Sequence, residues 1–70
     1  MNPTAKYIEN EELTEESVGS KVTYIPPHAK GDASHKDSEG GHIKSWNDMF
    51  CFVTFASNTK ACRFEDLVWS

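Results

Sequence analysis

Apolar and polar positions alternate along most of this chain in short runs, separated by residues that are typical of turns. Runs rich in β-branched and aromatic residues predict strands at 21–25, 42–46, 49–55, 59–63 and 68–69. Pro26-Pro27 ends the first strand, because proline has no amide hydrogen to donate to a ladder. Glu65-Asp66-Leu67 indicates a single helical turn before the last strand. The pattern predicts an all-β domain.

The register of the central hairpin follows from a two-residue turn at Ser57-Asn58. That turn pairs Phe55 with Lys60, Val53 with Cys62 and Cys51 with Phe64, so the apolar members of these pairs share one face and form the core. A two-residue turn at Asn47-Asp48 would pair polar residues with the core. A loop of about three to five residues is therefore expected there. It places Ile43 opposite Val53 or Cys51, inside the domain.

Two segments carry no periodic pattern. Residues 26–40 form a long polar loop with two prolines and two glycines, and loops of this length are usually functional or mobile. Residues 1–17 form an acidic arm with five glutamates and one lysine. The arm is expected to be flexible unless Tyr7 and Ile8 dock on the body, which spans 18–70.

Size and charge narrow the classes of function. Seventy residues suffice for one small domain. The net charge of −4 lies on the arm, and a neutral body with an acidic arm is poorly suited to neutralising phosphates. The chain has no apolar run long enough to span a membrane and no secretory signal at residues 1–16, so a cytoplasmic protein is expected.

The order of elements resembles the SH3-like small barrels, including the Tudor and KOW-type domains. The residues that carry the resemblance are Val18-Gly19-Ser20-Lys21-Val22, Gly40-Gly41-His42-Ile43, Phe52-Val53-Thr54-Phe55 and Glu65-Asp66-Leu67. It implies a five-stranded SH3-like barrel over 18–70, with one short helical turn before the last strand and a flexible acidic N-terminal arm over 1–17. The chain also resembles short barrel proteins of uncharacterised role encoded by bacteriophages and prophages.

The resemblance says less about function, since one barrel hosts many activities. The chain lacks the ALYDY-like aromatic run and most of the acidic cluster of peptide-binding SH3 domains, so proline-rich ligands are not expected. KOW-type domains imply ribosome or transcription partners, but the basic residues of that family are sparse here.

An aromatic face of the predicted hairpin is the main candidate site. If Cys51 and Val53 point inward, the alternate residues point outward, namely His42, Lys44, Trp46, Phe50 and Phe52. We interpret this face as a binding surface for another protein or a second copy of the chain. The alternatives are that the arm covers it through Tyr7, Ile8 and Leu13, or that it belongs to a second core. Because it mixes bases with stacking rings, nucleic-acid binding is the alternative function.

Metal binding and catalysis are weaker candidates. The loop and its end offer metal ligands at His28, His35, Asp37, Glu39 and His42, but their spacing matches no zinc motif, so no metal or other cofactor is predicted. Cys51 and Cys62, as diagonal neighbours in the predicted register, are expected to be buried thiols without a disulfide. A nucleophilic cysteine needs exposure in an electropositive setting, so no enzymatic activity is expected.

Overall fold

The computed structural model describes residues 7–70, which form one five-stranded antiparallel sheet. Its strands are β1 (Lys21–Tyr24), β2 (Glu39–Trp46), β3 (Cys51–Thr54), β4 (Thr59–Cys62) and β5 (Leu67–Trp69). Their order in the sheet is β4-β3-β2-β1-β5. Four short 3-10 turns complete this part of the chain, at Asn10–Glu12, Glu15–Ser17, Pro27–Ala29 and Phe64–Asp66. The prediction of a mostly β domain is confirmed.

The two end strands of the sheet, β4 and β5, are not paired with each other within residues 7–70, so the sheet is not closed into a barrel. The prediction of a closed barrel is wrong in this respect. The N-terminal arm occupies the outer side of β5 instead: Tyr7 forms a bridge with Val68, and the Ile8 amide donates to the Leu67 carbonyl at 3.0 Å.

The acidic arm is docked from Tyr7 onward rather than flexible. Ile8 and Leu13 are buried in the main core, where they join residues such as Val22, Ile43 and Leu67. The first six residues of the predicted arm lie outside the described residues. Of the two alternatives that the sequence left open, docking describes residues 7–17, because two apolar side chains in this polar segment reach the core.

The long strand β2 pairs with β1 along its first half and with β3 along its second half. Gly41 lies where these pairings meet. A Cβ atom at this position would lie 2.7 Å from Val53 Cγ1, 2.8 Å from the Thr54 carbonyl oxygen and 2.9 Å from Phe55 Cδ1. Only glycine allows the backbone of β2 to approach β3 this closely.

The faces of the β3–β4 hairpin are as predicted, but its register differs. Cys51, Val53 and Phe55 are buried, which confirms the predicted parity. The Phe55 amide donates to the Asn58 carbonyl at 2.7 Å, so the turn is Ala56-Ser57 rather than Ser57-Asn58. Cys51 therefore lies opposite Cys62, and Val53 opposite Lys60. Moving the turn by one residue shifts the pairing by two, which leaves every side chain on its predicted face.

No helix in residues 7–70 has both the length and the apolar character needed to cross a bilayer.

Candidate binding surface

Strands β2 and β3 carry four of the five residues of the predicted surface. A β-bulge between Ile43 and Ser45 separates Trp46 from the rest of β2. Ile43 pairs with Val53, but the next pairs are Ser45 with Phe52 and Trp46 with Cys51. One extra residue, Lys44, therefore lies on β2, and the alternation of its side chains is reversed beyond this point. Phe50, the fifth predicted residue, lies in the turn before β3.

Trp46 lies on the inner side of the sheet, and the prediction that it shares the outward face with Phe52 is wrong. Directly opposed residues of an antiparallel pair lie on the same face, and the partner of Trp46 is the fully buried Cys51. The indole is half-buried and packs against the main core. The bulge at Lys44 causes the reversal.

Phe52, Lys44 and His42 keep their outward positions. Phe52 is half-buried between Ser45 and Ala61 on the neighbouring strands. Lys44 and His42 are exposed, and His42 lies opposite Thr54 on one side and Lys21 on the other. The structure thus brings Lys44 and Phe52 close to Ser45, while His42 lies further along β2.

The free side of Trp46 lines an open groove of about 270 Å³, whose other walls are Glu15, Val18, Lys44 and Ser45. Val18 is 52% exposed, so its methyl groups add apolar surface to the groove. Glu15 and Lys44 put one negative and one positive group beside an apolar floor. Glu15 of the arm and Val18 of the body therefore form one wall of this groove, and the strand pattern alone gave no indication of Val18.

The turn between β2 and β3 runs from Asn47 to Phe50, and its four residues fall within the predicted range of three to five. The Asn47 side-chain oxygen accepts hydrogen bonds from the amides of Met49 at 2.8 Å and Phe50 at 2.7 Å. The Asn47 carbonyl accepts another from the Asn10 side chain, which ties the arm to the turn. Met49 is 71% exposed at the tip. An exposed methionine on an ordered turn adds apolar surface next to Trp46 and Phe50.

A second cavity, of about 400 Å³, lies between β4 and the end of β1, where Tyr24, Cys62 and Arg63 line it. Its two cations are already paired. The Arg63 guanidinium donates to Asp66 at 3.1 Å and lies 3.2 Å from Glu65, and Lys60 lies 3.9 Å from Glu39. Burial, followed by the nearby charge of Asp66, raises the pKa of the Tyr24 hydroxyl. The charges of this cavity therefore stabilise the chain itself and leave little attraction for an ionic ligand.

Both cysteines are buried free thiols. Burial, and secondarily the neighbouring Cys62, raises the pKa of the Cys51 thiol to about 11. Burial also raises the pKa of the Cys62 thiol. The positive charge of Lys60 lowers this pKa, but by less than burial raises it. A nucleophilic cysteine needs a lowered pKa, so the environment of these two thiols favours the unreactive, protonated form. Cys51 and Cys62 lie directly opposite each other on β3 and β4, not diagonally as predicted. The expectation of free thiols rested on the diagonal arrangement, so that geometric premise is wrong.

The residues that the sequence offered as weak candidates for metal binding divide into two groups. His28, His35 and Asp37 come together in the loop, with the donor atoms of all three within 4.8 Å of one another. Glu39 and His42 instead lie on β2, where Glu39 approaches Lys60. The sequence shows that these residue types are present, but it does not indicate which of their side chains lie close together.

No protein-family model, no curated protein and no solved structure matches this chain. The fold and the two local sites, the groove beside Trp46 and the histidine cluster of the loop, therefore carry the functional argument on their own.

Proposed function

We propose that this chain is a non-enzymatic protein-interaction module, which binds another protein through the groove beside Trp46. The observation that carries the proposal is the apolar floor of this groove, where the half-buried indole of Trp46 meets a valine that is 52% exposed. Tryptophan is among the side chains most enriched at binding hot spots, which lie in well-packed apolar pockets.

The groove fits one apolar side chain of a partner, not a large ligand. A volume of about 270 Å³ is at the lower end of pocket sizes and matches a single aliphatic or aromatic anchor. Lys44 and Glu15 lie on its walls, so charged residues next to the anchor would determine orientation. Met49 and Phe50, on the adjoining turn, extend the contact area, whereas Phe52 lies on the opposite face of the sheet from Trp46 and is not part of the groove.

We further propose that the domain is a variant of the SH3-like small barrel. Three observations support this assignment: the strand order β4-β3-β2-β1-β5, the 3-10 turn at Phe64–Asp66 immediately before β5, and the long loop between β1 and β2. In this variant, the N-terminal arm takes the place beside β5 that strand pairing would otherwise fill.

The test uses Val18→Asp, because Val18 forms the groove but is not part of the core. The matched control is Ala56→Asp, which puts the same charge on an exposed turn position. Partners captured from the source cell by the wild-type chain are identified by mass spectrometry, and one purified partner is titrated calorimetrically. Val18→Asp should weaken binding at least about tenfold, as expected for a hot-spot contact, while Ala56→Asp binds like the wild type. Equal affinity of all three proteins would refute the groove as the binding site.

Nucleic-acid binding remains the second candidate, and one observation favours it: Lys21 and His42 face each other across β1 and β2, both exposed, with Lys44 further along β2. This basic row would contact phosphates beside Phe52. Fluorescence anisotropy with single-stranded oligonucleotides should then show affinity that falls steeply with salt and that is lost in Lys44→Glu. No binding at low salt would eliminate this function and leave the protein-binding proposal standing.

A further inference from the structure

Two of the three histidines in the chain meet an aspartate in the loop between β1 and β2. His28 Nε2 lies 2.7 Å from Asp37 Oδ2, and His35 Nδ1 lies 3.9 Å from the same oxygen. The two imidazole rings are 5.3 Å apart in an edge-to-face arrangement. His28, His35 and Asp37, which span ten positions of the sequence, therefore bring two nitrogen donors and one oxygen donor together on the surface.

The backbone that carries these side chains is ordered by its own hydrogen bonds. Asp32 is central: its side chain accepts from the Ser34 amide, and its carbonyl accepts from the His35 amide and the Ser38 hydroxyl. At the other end, His28 lies between Pro27 and Ala29 in a 3-10 turn, and Ala29 is buried against Ile25 and Val68. Both ends of the cluster thus start from fixed positions, as a metal site requires.

We propose that His28, His35 and Asp37 bind one zinc ion, with water as the fourth ligand. Two imidazole nitrogens and a carboxylate oxygen form a ligand set that suits zinc, at bond lengths of about 2.0–2.2 Å. Tetrahedral geometry at these lengths puts ligand atoms about 3.3 Å apart. The donor atoms lie within 4.8 Å of one another. Side-chain rotations that move these atoms by about 1.5 Å or less therefore complete the site. The His28 and Asp37 side chains are 62% and 48% exposed, which leaves them free to rotate.

Zinc binding changes two identifiable hydrogen bonds. His28 Nε2 donates to the Asp37 carboxylate at 2.7 Å, and on coordination zinc takes the place of that proton, which moves to Nδ1. His35 Nδ1 accepts from the Asp37 amide at 3.0 Å. That bond is lost whichever nitrogen of His35 binds zinc, since Nδ1 then carries either the metal or the proton. At constant pH, both changes accompany coordination and give the proposal a spectroscopic signature.

The test is a calorimetric titration of zinc chloride into the full chain after treatment with a chelator. One ion should bind per chain. His28→Ala and Asp37→Asn should each weaken binding at least about tenfold. His42→Ala is the matched control, because it removes the remaining histidine, which lies exposed on β2; its affinity should equal that of the wild type. Thermal melts check folding, and Asp37→Asn preserves the shape of the side chain should His28→Ala prove unstable.

Two spectra identify the ligands. Imidazole ¹⁵N resonances should show metal coordination at two histidines and none at His42, and the Asp37 amide resonance should shift as its hydrogen bond is lost. Cobalt substituted for zinc should show no thiolate charge-transfer band. The proposal is overturned if zinc gives no heat above buffer, if His42→Ala loses as much affinity as His28→Ala, or if a thiolate band reveals Cys51 or Cys62 as the ligand.

Discussion

Cys51 and Cys62 lie directly opposite each other on β3 and β4, both buried and both as free thiols. Burial disfavours the charged form of the Cys51 thiol, and the neighbouring Cys62 adds to this effect. This arrangement raises the pKa of Cys51 from its ordinary 9.0 to about 11. The pair therefore links the stability of the domain to pH on the alkaline side.

The free energy of unfolding should fall as pH rises from 9.0 towards about 11. In this window the unfolded chain has lost the Cys51 proton and the folded chain retains it, so alkali favours unfolding; the contribution is intact below 9.0. Urea denaturation at a series of pH values measures the slope. Cys51→Ala should be less stable throughout but show a flatter alkaline slope. If the two slopes are equal, the Cys51 thiol is not responsible.

Gly41→Ala should destabilise the domain by about 1–3 kcal/mol, the usual cost of forcing an extra carbon into a packed core. The new Cβ would meet Val53, the Thr54 carbonyl and Phe55, all below 3.0 Å. Gly40→Ala is the control, because its nearest contact would be the Val22 carbonyl oxygen at 3.9 Å, and its effect should stay within about 0.5 kcal/mol. Equal losses in urea denaturation would show that glycine flexibility, not space, is what matters.

The docked arm should contribute to global stability. Leu13→Ala removes a side chain that is buried in the main core, and should cost about 2–5 kcal/mol. Val18→Ala removes apolar carbons from a half-exposed position directly after the arm, and should cost less than about 1 kcal/mol. Denaturation followed by tryptophan fluorescence distinguishes the two variants. A neutral Leu13→Ala would mean that the arm leaves the sheet in solution.

The turn after β2 should depend on the side-chain oxygen of Asn47. Asn47→Ala removes the acceptor of two amide hydrogen bonds and should destabilise the domain by about 1–2 kcal/mol. Asn47→Asp keeps an oxygen at the same place and should preserve most of the stability. The difference between the variants in chemical denaturation is the informative quantity, since both alter the same exposed position. A loss of the same size in both would assign the effect to the amide nitrogen.

The strands, and the buried face of β3, could be predicted from the sequence through hairpin pairing rather than through alternation. Residues 49–55 are apolar except for Thr54, but pairing with β4 puts Cys51 and Val53 on the side of Cys62 whether the turn begins at Ala56 or Ser57. The position of the turn itself was less certain, since Asn58 favours a turn but here accepts a hydrogen bond at its end.

The binding surface was harder to predict because it depends on one inserted residue and on the arm. Nothing about Lys44 as a residue type indicates a bulge, yet the bulge turns Trp46 to the opposite side of the sheet. The groove also needs Val18, which only the docking of the arm brings to Trp46. Likewise, His28 and Asp37 meet because the loop folds back, and sequence spacing does not encode that contact.

The bridge between Tyr7 and Val68 limits how this molecule can grow by strand addition. With the arm on β5, the described residues leave β4 as the exposed edge of the sheet. An unpaired strand edge is the usual template for pairing with another chain. Self-association through backbone pairing is therefore expected at β4 rather than at β5, where Tyr7 and Ile8 already bond to Val68 and Leu67.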